Sequence, residues 1–130
     1  MIGLDTNILV RYLTQDDENQ FRRVLNLLST KGSQFYLSDL VLVETFWALK
    51  SIYAWTPNEI ADVLGNLTSV HNLIFENEAR LLASLRAVRL GADLADELIV
   101  RAASSKGVKK IATFDKGMIR RHAPLAFEPA

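Results

Sequence analysis

The chain has 130 residues, enough for one hydrophobic core, and its 49% hydrophobic and 23% charged residues are typical of a globular protein. Basic and acidic residues number 15 each, so net charge does not indicate a polyanionic partner. The absence of cysteine excludes disulfides and thiolate metal sites, and no apolar run is long enough to cross a membrane. Because a signal-peptide pattern is missing, we expect the protein to be cytoplasmic. Its length predicts a single domain, residues 1–130.

The first residues predict a strand that leads directly into a helix. A short apolar run ends at Asp5, and Ile8, Leu9, Tyr12 and Leu13 then follow at helical spacing. In open α/β sheets, functional sites lie beyond the carboxyl ends of the strands. Asp5 is therefore a candidate site residue, although an acid in this position also caps helices.

Helical and strand patterns alternate along the rest of the chain. Thr56, Pro57 and Glu59 form a capping-box sequence with proline at the first helical position, which predicts the start of a helix. Apolar spacing also predicts helices over residues 16–30, 40–54, 77–90 and 93–105, and strands over residues 34–37, 73–75, 110–114 and 125–127. Such alternation predicts a parallel sheet that is covered by helices on both faces.

Asp115 repeats the pattern of Asp5, because an apolar run over residues 111–114 leads directly into it. Parallel strands present their carboxyl ends at the same edge of a sheet. We therefore expect the carboxylates of Asp5 and Asp115 to lie at one common edge.

Glu44 is unusual because it interrupts an apolar helical segment over residues 40–49. Glutamate is almost never fully buried without a partner, since a lone buried carboxylate becomes neutral. Three explanations remain open: the side chain faces a cleft, it binds an ion, or it pairs with a basic residue of a neighbouring helix.

Asp93, Asp96 and Glu97 fall in the first turn of a predicted helix, where the helix dipole favours negative charge. Asp93 at the cap and Asp96 at the third position would form a capping pair without any catalytic role. Spacing alone does not distinguish this pair from metal ligands.

Electrostatics constrain the acids if they share one cleft. Two carboxylates about 4 Å apart repel by roughly 4 kcal/mol at an effective dielectric constant near 20. Four of them would not remain ionised without a counter-charge, which a hard divalent cation such as Mg²⁺ supplies. Such an ion would polarise a phosphodiester and lower the pKa of a bound water.

Two other features have plainer interpretations. The segment between Val100 and His122 holds seven basic residues and one acid, which is compatible with phosphate steering but better explained by a solvated surface. One predicted helix and the residues that follow it are rich in aromatic side chains, which we expect mostly to pack in the core and partly to line an interface: Phe46, Trp47, Tyr53 and Trp55. His71 and His122 lack metal-ligand spacing.

Four segments, in this order along the chain, resemble one known family. They are Asp5-Thr6-Asn7, the Ser38–Glu44 segment, the Gly91–Ile99 segment with Asp93 and Asp96, and Thr113-Phe114-Asp115. Together they resemble the PIN-domain nucleases, with VapC-like toxins of bacterial toxin–antitoxin pairs as the nearest group.

The resemblance implies a three-layer α/β/α sandwich with a short parallel sheet and an endoribonuclease that uses Mg²⁺ or Mn²⁺. It also implies a homodimer that a small antitoxin protein inhibits. The implied metal-binding acids are Asp5, Glu44, Asp96 and Asp115, with Thr6, Asn7, Asp93 and Thr113 in support. Glu97 departs from the family, which often has alanine there, and it would bind metal through water or face solvent.

Two other functions are compatible with the residues alone. In a receiver-like domain, one aspartate would accept a phosphoryl group, and Lys116 beside Asp115 is a weak indication of this. In a non-catalytic interaction module, the acids would only cap helices and the aromatic helix would bind a partner.

Overall fold

The computed structural model describes all 130 residues and contains seven helices and five short strands. No helix in it is both long and apolar enough to cross a bilayer. The strands are β1 (Ile2–Gly3), β2 (Phe35–Leu37), β3 (Leu73–Phe75), β4 (Ile111–Ala112) and β5 (Ala126–Phe127). The helices are α1 (Thr6–Thr14), α2 (Glu18–Leu28), α3 (Asp39–Ser51), α4 (Pro57–Leu67), α5 (Glu78–Arg89), α6 (Leu94–Ser105) and α7 (Lys116–His122).

The strands form two small parallel sheets. In the first sheet β2 lies between β1 and β3, with Phe35 opposite both Ile2 and Leu73. The second sheet is the parallel pair β4–β5. The predicted α/β fold with a short parallel sheet is confirmed. The expectation that β1 and β4 end at the edge of one common sheet is not met, because the two strands belong to different sheets.

Side-chain caps define where the helices begin. Each capping side chain accepts a hydrogen bond from a backbone N–H of the first turn, which would otherwise have no partner. The predicted capping box of Thr56 and Glu59 is present, with both reciprocal bonds formed. The caps are Asp5, Asp17, Ser38, Thr56, Asn77, Asp93 and Asp115.

Two apolar clusters hold these elements together. The main cluster contains 17 buried residues and is centred on β2, whose Phe35 and Leu37 are fully buried. A smaller cluster of Val100, Met118 and Ala126 attaches α7 and β5 to α6. Helix α6 contributes to both clusters, so it connects the acid-capped α7 to the main core.

The structure differs from the sequence prediction mainly after residue 107. The predicted strand over residues 110–114 is reduced to Ile111–Ala112, because the Thr113 hydroxyl accepts a hydrogen bond from the Asp115 amide and the chain turns there. Helix α7 was not predicted. It has only seven residues, too few to show an apolar period. Its signals are the capping Asp115 and the basic residues Arg120 and Arg121 in its last turn.

Candidate active site

Asp5 follows β1 and begins α1. One oxygen of its exposed carboxylate accepts a hydrogen bond of 2.8 Å from the Thr6 amide. The cap predicted as one alternative is therefore formed. A carboxylate has two oxygens with several acceptor positions, so the cap leaves Asp5 able to bind another group.

Glu44 lies on α3 close to the start of α1. Its carboxylate is exposed and accepts a hydrogen bond of 3.1 Å from the Thr6 hydroxyl, while the neighbouring Leu42 and Phe46 are buried. Glu44 forms no ion pair. Of the three explanations that the sequence left open, pairing with a basic residue is thus excluded. The side chain lines a cleft together with Val43, Trp47 and other residues.

Asp93 and Asp96 form the capping pair at the start of α6. The Asp93 carboxylate accepts a hydrogen bond of 3.0 Å from the Asp96 amide. Partial burial raises the pKa of the Asp96 carboxyl, and the negative charges of Asp93 and Asp115 raise it further, whereas Arg121 lowers it. Asp96 therefore lies within the electrostatic range of three other acids, Asp93, Glu97 and Asp115, and Asp115 comes from a distant part of the sequence.

Asp115 is positioned by two hydrogen bonds on either side of it. Its carboxylate accepts a bond of 2.7 Å from the Met118 amide, and its own amide donates to the Thr113 hydroxyl at 3.0 Å. Thr113 thus orients the turn that holds the acid.

Trp47 connects the two acidic neighbourhoods. One cleft is lined by Thr6, Glu44 and Trp47, and a second by Asp93, Trp47 and other residues, with Val43 in the wall of both. The indole is 61% exposed. Glu44 therefore lies at one of these clefts and Asp93 at the other, with Trp47 in the wall of both.

None of the candidate acids has a basic partner. The ion pairs of the structure involve a separate set of acids, namely Asp16, Glu18, Asp39, Asp62, Glu76, Glu97 and Glu128. Clustered carboxylates without cations are unfavourable for folding, and they are commonly found where a site binds a positive charge.

One family model matches most of the chain. Residues 2–123 match the family model described as PIN domain. The chain belongs to the PIN-domain family. No curated protein and no solved structure matches the chain. PIN domains are generally nucleases, so a nuclease-type fold carries the unpaired acids described above.

The chemistry of the donor set in this PIN domain suits a hard divalent cation. Carboxylate oxygens are the ligands that Mg²⁺ prefers. Burial and the charges of Asp93 and Asp115 raise the pKa of Asp96, and such an ion would neutralise those charges. The side chains as they stand do not form a ready-made group of three or more potential ligands. Metal binding would therefore require the carboxylates to draw closer together.

Glu97 does not occupy either of the places expected for it. Its carboxylate is 3% exposed and contacts His122, while Arg101 donates to it at 3.3 Å. The expectation that Glu97 binds metal through water or faces solvent is wrong, because its side chain lies on the buried side of α6, toward α7. His122 is half-buried and contacts Glu97.

Asn7 and two basic residues, Arg23 and Lys116, lie close in sequence to the candidate acids or in clefts beside them. The Asn7 side chain makes no hydrogen bond within the protein, and it lines a cleft between α1 and α2 that also contains Arg23. The ammonium group of Lys116 lies 3.2 Å from Glu128 and is engaged there. Sequence reasoning did not identify Arg23 or the exposed Phe114, although the position of Phe114 directly before Asp115 was a usable signal.

Proposed function

We propose that this PIN domain is a metal-dependent endoribonuclease and the toxin of a type II toxin–antitoxin pair. In this proposal Asp5, Glu44, Asp96 and Asp115 bind Mg²⁺ or Mn²⁺, and the chain functions as one domain, residues 1–130. Family membership supports nuclease chemistry. The resemblance of the four acidic segments to VapC-like toxins supports the choice of RNA and of a toxin.

The observation that carries the proposal is the environment of Asp96. Its carboxyl is partly buried beside Asp93 and Asp115, its pKa is raised, and it has no ion-pair partner. Helix capping does not explain a partly buried carboxyl beside other acids at Asp96, because the Asp93 side chain alone provides the cap. The arrangement opposes folding, and a function that requires a cation explains why it is present.

The roles of the protein groups follow from their contacts. When bound, a divalent ion would neutralise the acids and polarise the phosphodiester that is cut. Thr6 holds Glu44 beside Asp5 through its hydroxyl. Thr113 and the Met118 amide hold Asp115 at the start of α7. Asp93 fixes the first turn of α6 and hence the backbone position of Asp96.

Exposed aromatic side chains beside the acids favour an unpaired strand as the substrate. Trp47 lies between the two acidic clefts, and Phe114, which precedes Asp115, is 74% exposed. Unstacked bases of single-stranded RNA bind on such rings. An A-form duplex would present its phosphates and 2′-hydroxyl groups instead.

The cleft between α1 and α2 offers a cation for the strand next to the site. It begins at Asn7, two residues after Asp5, and includes Arg11 and Arg23. Arg11 is engaged by Asp16, Gln20 and the Tyr53 hydroxyl. Arg23 has no ion pair, and we assign it to a backbone phosphate.

Cleavage of RNA by the purified protein tests the proposal. A labelled single-stranded RNA and total RNA are incubated with Mn²⁺ or Mg²⁺, with EDTA, and with EDTA followed by excess Mn²⁺. We expect cleavage with metal, loss of cleavage with EDTA, and recovery on Mn²⁺ addition. Cleavage that persists in EDTA, or that is equal in the Asp96→Asn protein, would contradict the proposed site.

The toxin role requires an antitoxin and implies a homodimer. The outer side of α3 supplies apolar surface for a protein partner, since Leu40 and Trp47 are exposed beside Glu44. An antitoxin bound there would cover both clefts and block the strand. Induced expression should stop growth, and co-expression of the neighbouring small gene should restore it. Growth arrest that also occurs with Asp96→Asn would argue against a nuclease toxin.

A further inference from the structure

Glu97 follows Asp96 directly, yet the two carboxylates have different surroundings. Asp96 lies near Asp93 and Asp115, whereas Glu97 is buried and contacts His122 and Arg101. Adjacent residues on a helix point in directions about 100° apart, so α6 can present one acid to the site and the other to α7.

Helix α7 carries Asp115 at its start and is attached to α6 at its end. At its start, Asp115 accepts a hydrogen bond from the Met118 amide and is thereby fixed to the helix. At its end, His122 contacts the carboxylate of Glu97, and Arg121 donates to the carbonyl of Gly91, just before α6. The apolar contact of Met118 with Val100 completes the attachment of α7 to α6.

These contacts connect the two acids that influence each other. Asp96 moves with α6, and Asp115 moves with α7. The Glu97–His122 pair and the Arg121–Gly91 bond, together called the α6–α7 tie, limit the sliding of one helix along the other. The distance between the carboxylates of Asp96 and Asp115 therefore depends on the tie.

We propose that Glu97 is a positioning residue, which holds α7 against α6 so that Asp115 and Asp96 act on the same ion and phosphate. This inference rests on the proposed nuclease function. A buried ion pair is no more stabilising than well-packed apolar residues of the same volume, but it is directional and fixes one arrangement of two helices. Groups that support metal ligands from behind typically change metal affinity or activity about 10-fold to 100-fold when they are removed.

Three variants separate positioning from general stability. Glu97→Ala removes the pair, and Glu97→Gln retains a side chain of the same shape that still hydrogen-bonds His122. Asp39→Asn is the matched control, because Asp39 forms another largely buried ion pair, with Arg80, and makes no hydrogen bond or ion pair with Glu97 or His122. The readouts are Tm, the Mn²⁺ dissociation constant from calorimetry, kcat and KM for RNA, and amide exchange at Asp96 and Met118.

We expect Glu97→Ala to weaken Mn²⁺ binding and lower kcat by about 10-fold, with little change in KM. Its amide exchange should accelerate at Met118, whose N–H is bonded to Asp115, more than in the core of α3. Glu97→Gln should recover most of the metal affinity and kcat. Asp39→Asn should lower Tm without either effect.

Other outcomes would overturn the inference. If Glu97→Ala and Asp39→Asn lose Tm and activity in the same proportion, Glu97 is only a stabilising residue. Unchanged exchange at Met118 in Glu97→Ala would show that the tie does not position Asp115. If the wild-type protein neither binds Mn²⁺ nor cuts RNA, the proposed function fails, and the exchange experiment alone still decides whether Glu97 holds α7 in place.

Discussion

Two acidic regions of this PIN domain have the same origin in sequence and different surroundings in the fold. An acid follows each of the strands β1 to β4 within three residues. The acids that follow β2 and β3, Asp39 and Glu76, both bind Arg80, at 2.7 and 3.1 Å. These three residues are called the Arg80 region. The acids that follow β1 and β4, Asp5 and Asp115, form no ion pair with a basic residue. Asp115 acts on Asp96 together with Asp93, and these three acids are called the Asp96 region.

The difference shows what distinguishes a structural acid from a candidate site acid. In the Arg80 region, the guanidinium forms ion pairs with both carboxylates, and burial together with Glu76 raises the pKa of Tyr36. In the Asp96 region, acids lie near other acids, and burial together with the charges of Asp93 and Asp115 raises the pKa of Asp96. The first region contains its own paired cation, whereas the acids of the second form no ion pair and only the charge of Arg121 opposes their effect on Asp96.

The largest expected effect is on catalysis. Asp96→Asn should lower RNA cleavage by more than about 100-fold, beyond what the loss of a group that merely supports a ligand causes. Asp39→Asn changes an acid of the Arg80 region in the same way and should retain wild-type kcat/KM. The measurement is kcat/KM on one labelled RNA at saturating Mn²⁺. Equal losses in the two variants would remove the distinction between the regions.

For the free energy of unfolding, we expect the larger loss in Asp39→Asn and not in Asp96→Asn. Asp39→Asn should lower the free energy of unfolding by about 2 kcal/mol, because a charge-assisted bond to the largely buried Arg80 is lost. Urea unfolding of the metal-free proteins measures this difference. An Asp39→Asn protein as stable as the wild type would mean that the Arg80 region does not stabilise the fold.

A smaller effect is expected from Arg23. Arg23→Gln should raise KM for RNA several-fold, leave kcat unchanged, and reduce the slope of log affinity against log salt by about one, as for the loss of one phosphate contact. Arg22→Gln is the matched control, because the neighbouring Arg22 is exposed and already paired with Glu18. Identical salt slopes for the two variants would exclude a specific role of the α1–α2 cleft.

The smallest effect concerns pH and stability. The pKa of Asp96 is raised in the folded protein. Protonated Asp96 therefore favours folding at pH values below its unfolded pKa of about 3.9. This contribution to stability is lost as pH rises through the folded-state pKa. Asp96→Asn stays neutral and should raise Tm of the metal-free protein by a few degrees at pH 7. It should change Tm little at pH near 3. A Tm at pH 7 below that of the wild type would indicate that Asp96 is stabilising as an anion.

Much of the fold could be predicted from local sequence. Capping residues such as Thr56 and Asp93, and apolar periods of 10 residues or more, indicate helices because hydrogen bonds and burial within a few residues decide them. Helix α7 and the short β4 depend on contacts with β5 and α6, so the local pattern was too weak there.

Three candidate acids were also recognisable from their sequence context, since Asp5 and Asp115 follow apolar runs and Glu44 interrupts an apolar helix, whereas Asp96 in a helix first turn looked the same as a capping residue. Only the tertiary structure decided which acids lack a cation. Arg80 reaches Asp39 across 41 positions of sequence, and His122 reaches Glu97 across 25. Charge neutralisation depends on distance in space, and spacing along the chain does not record which helices pack together.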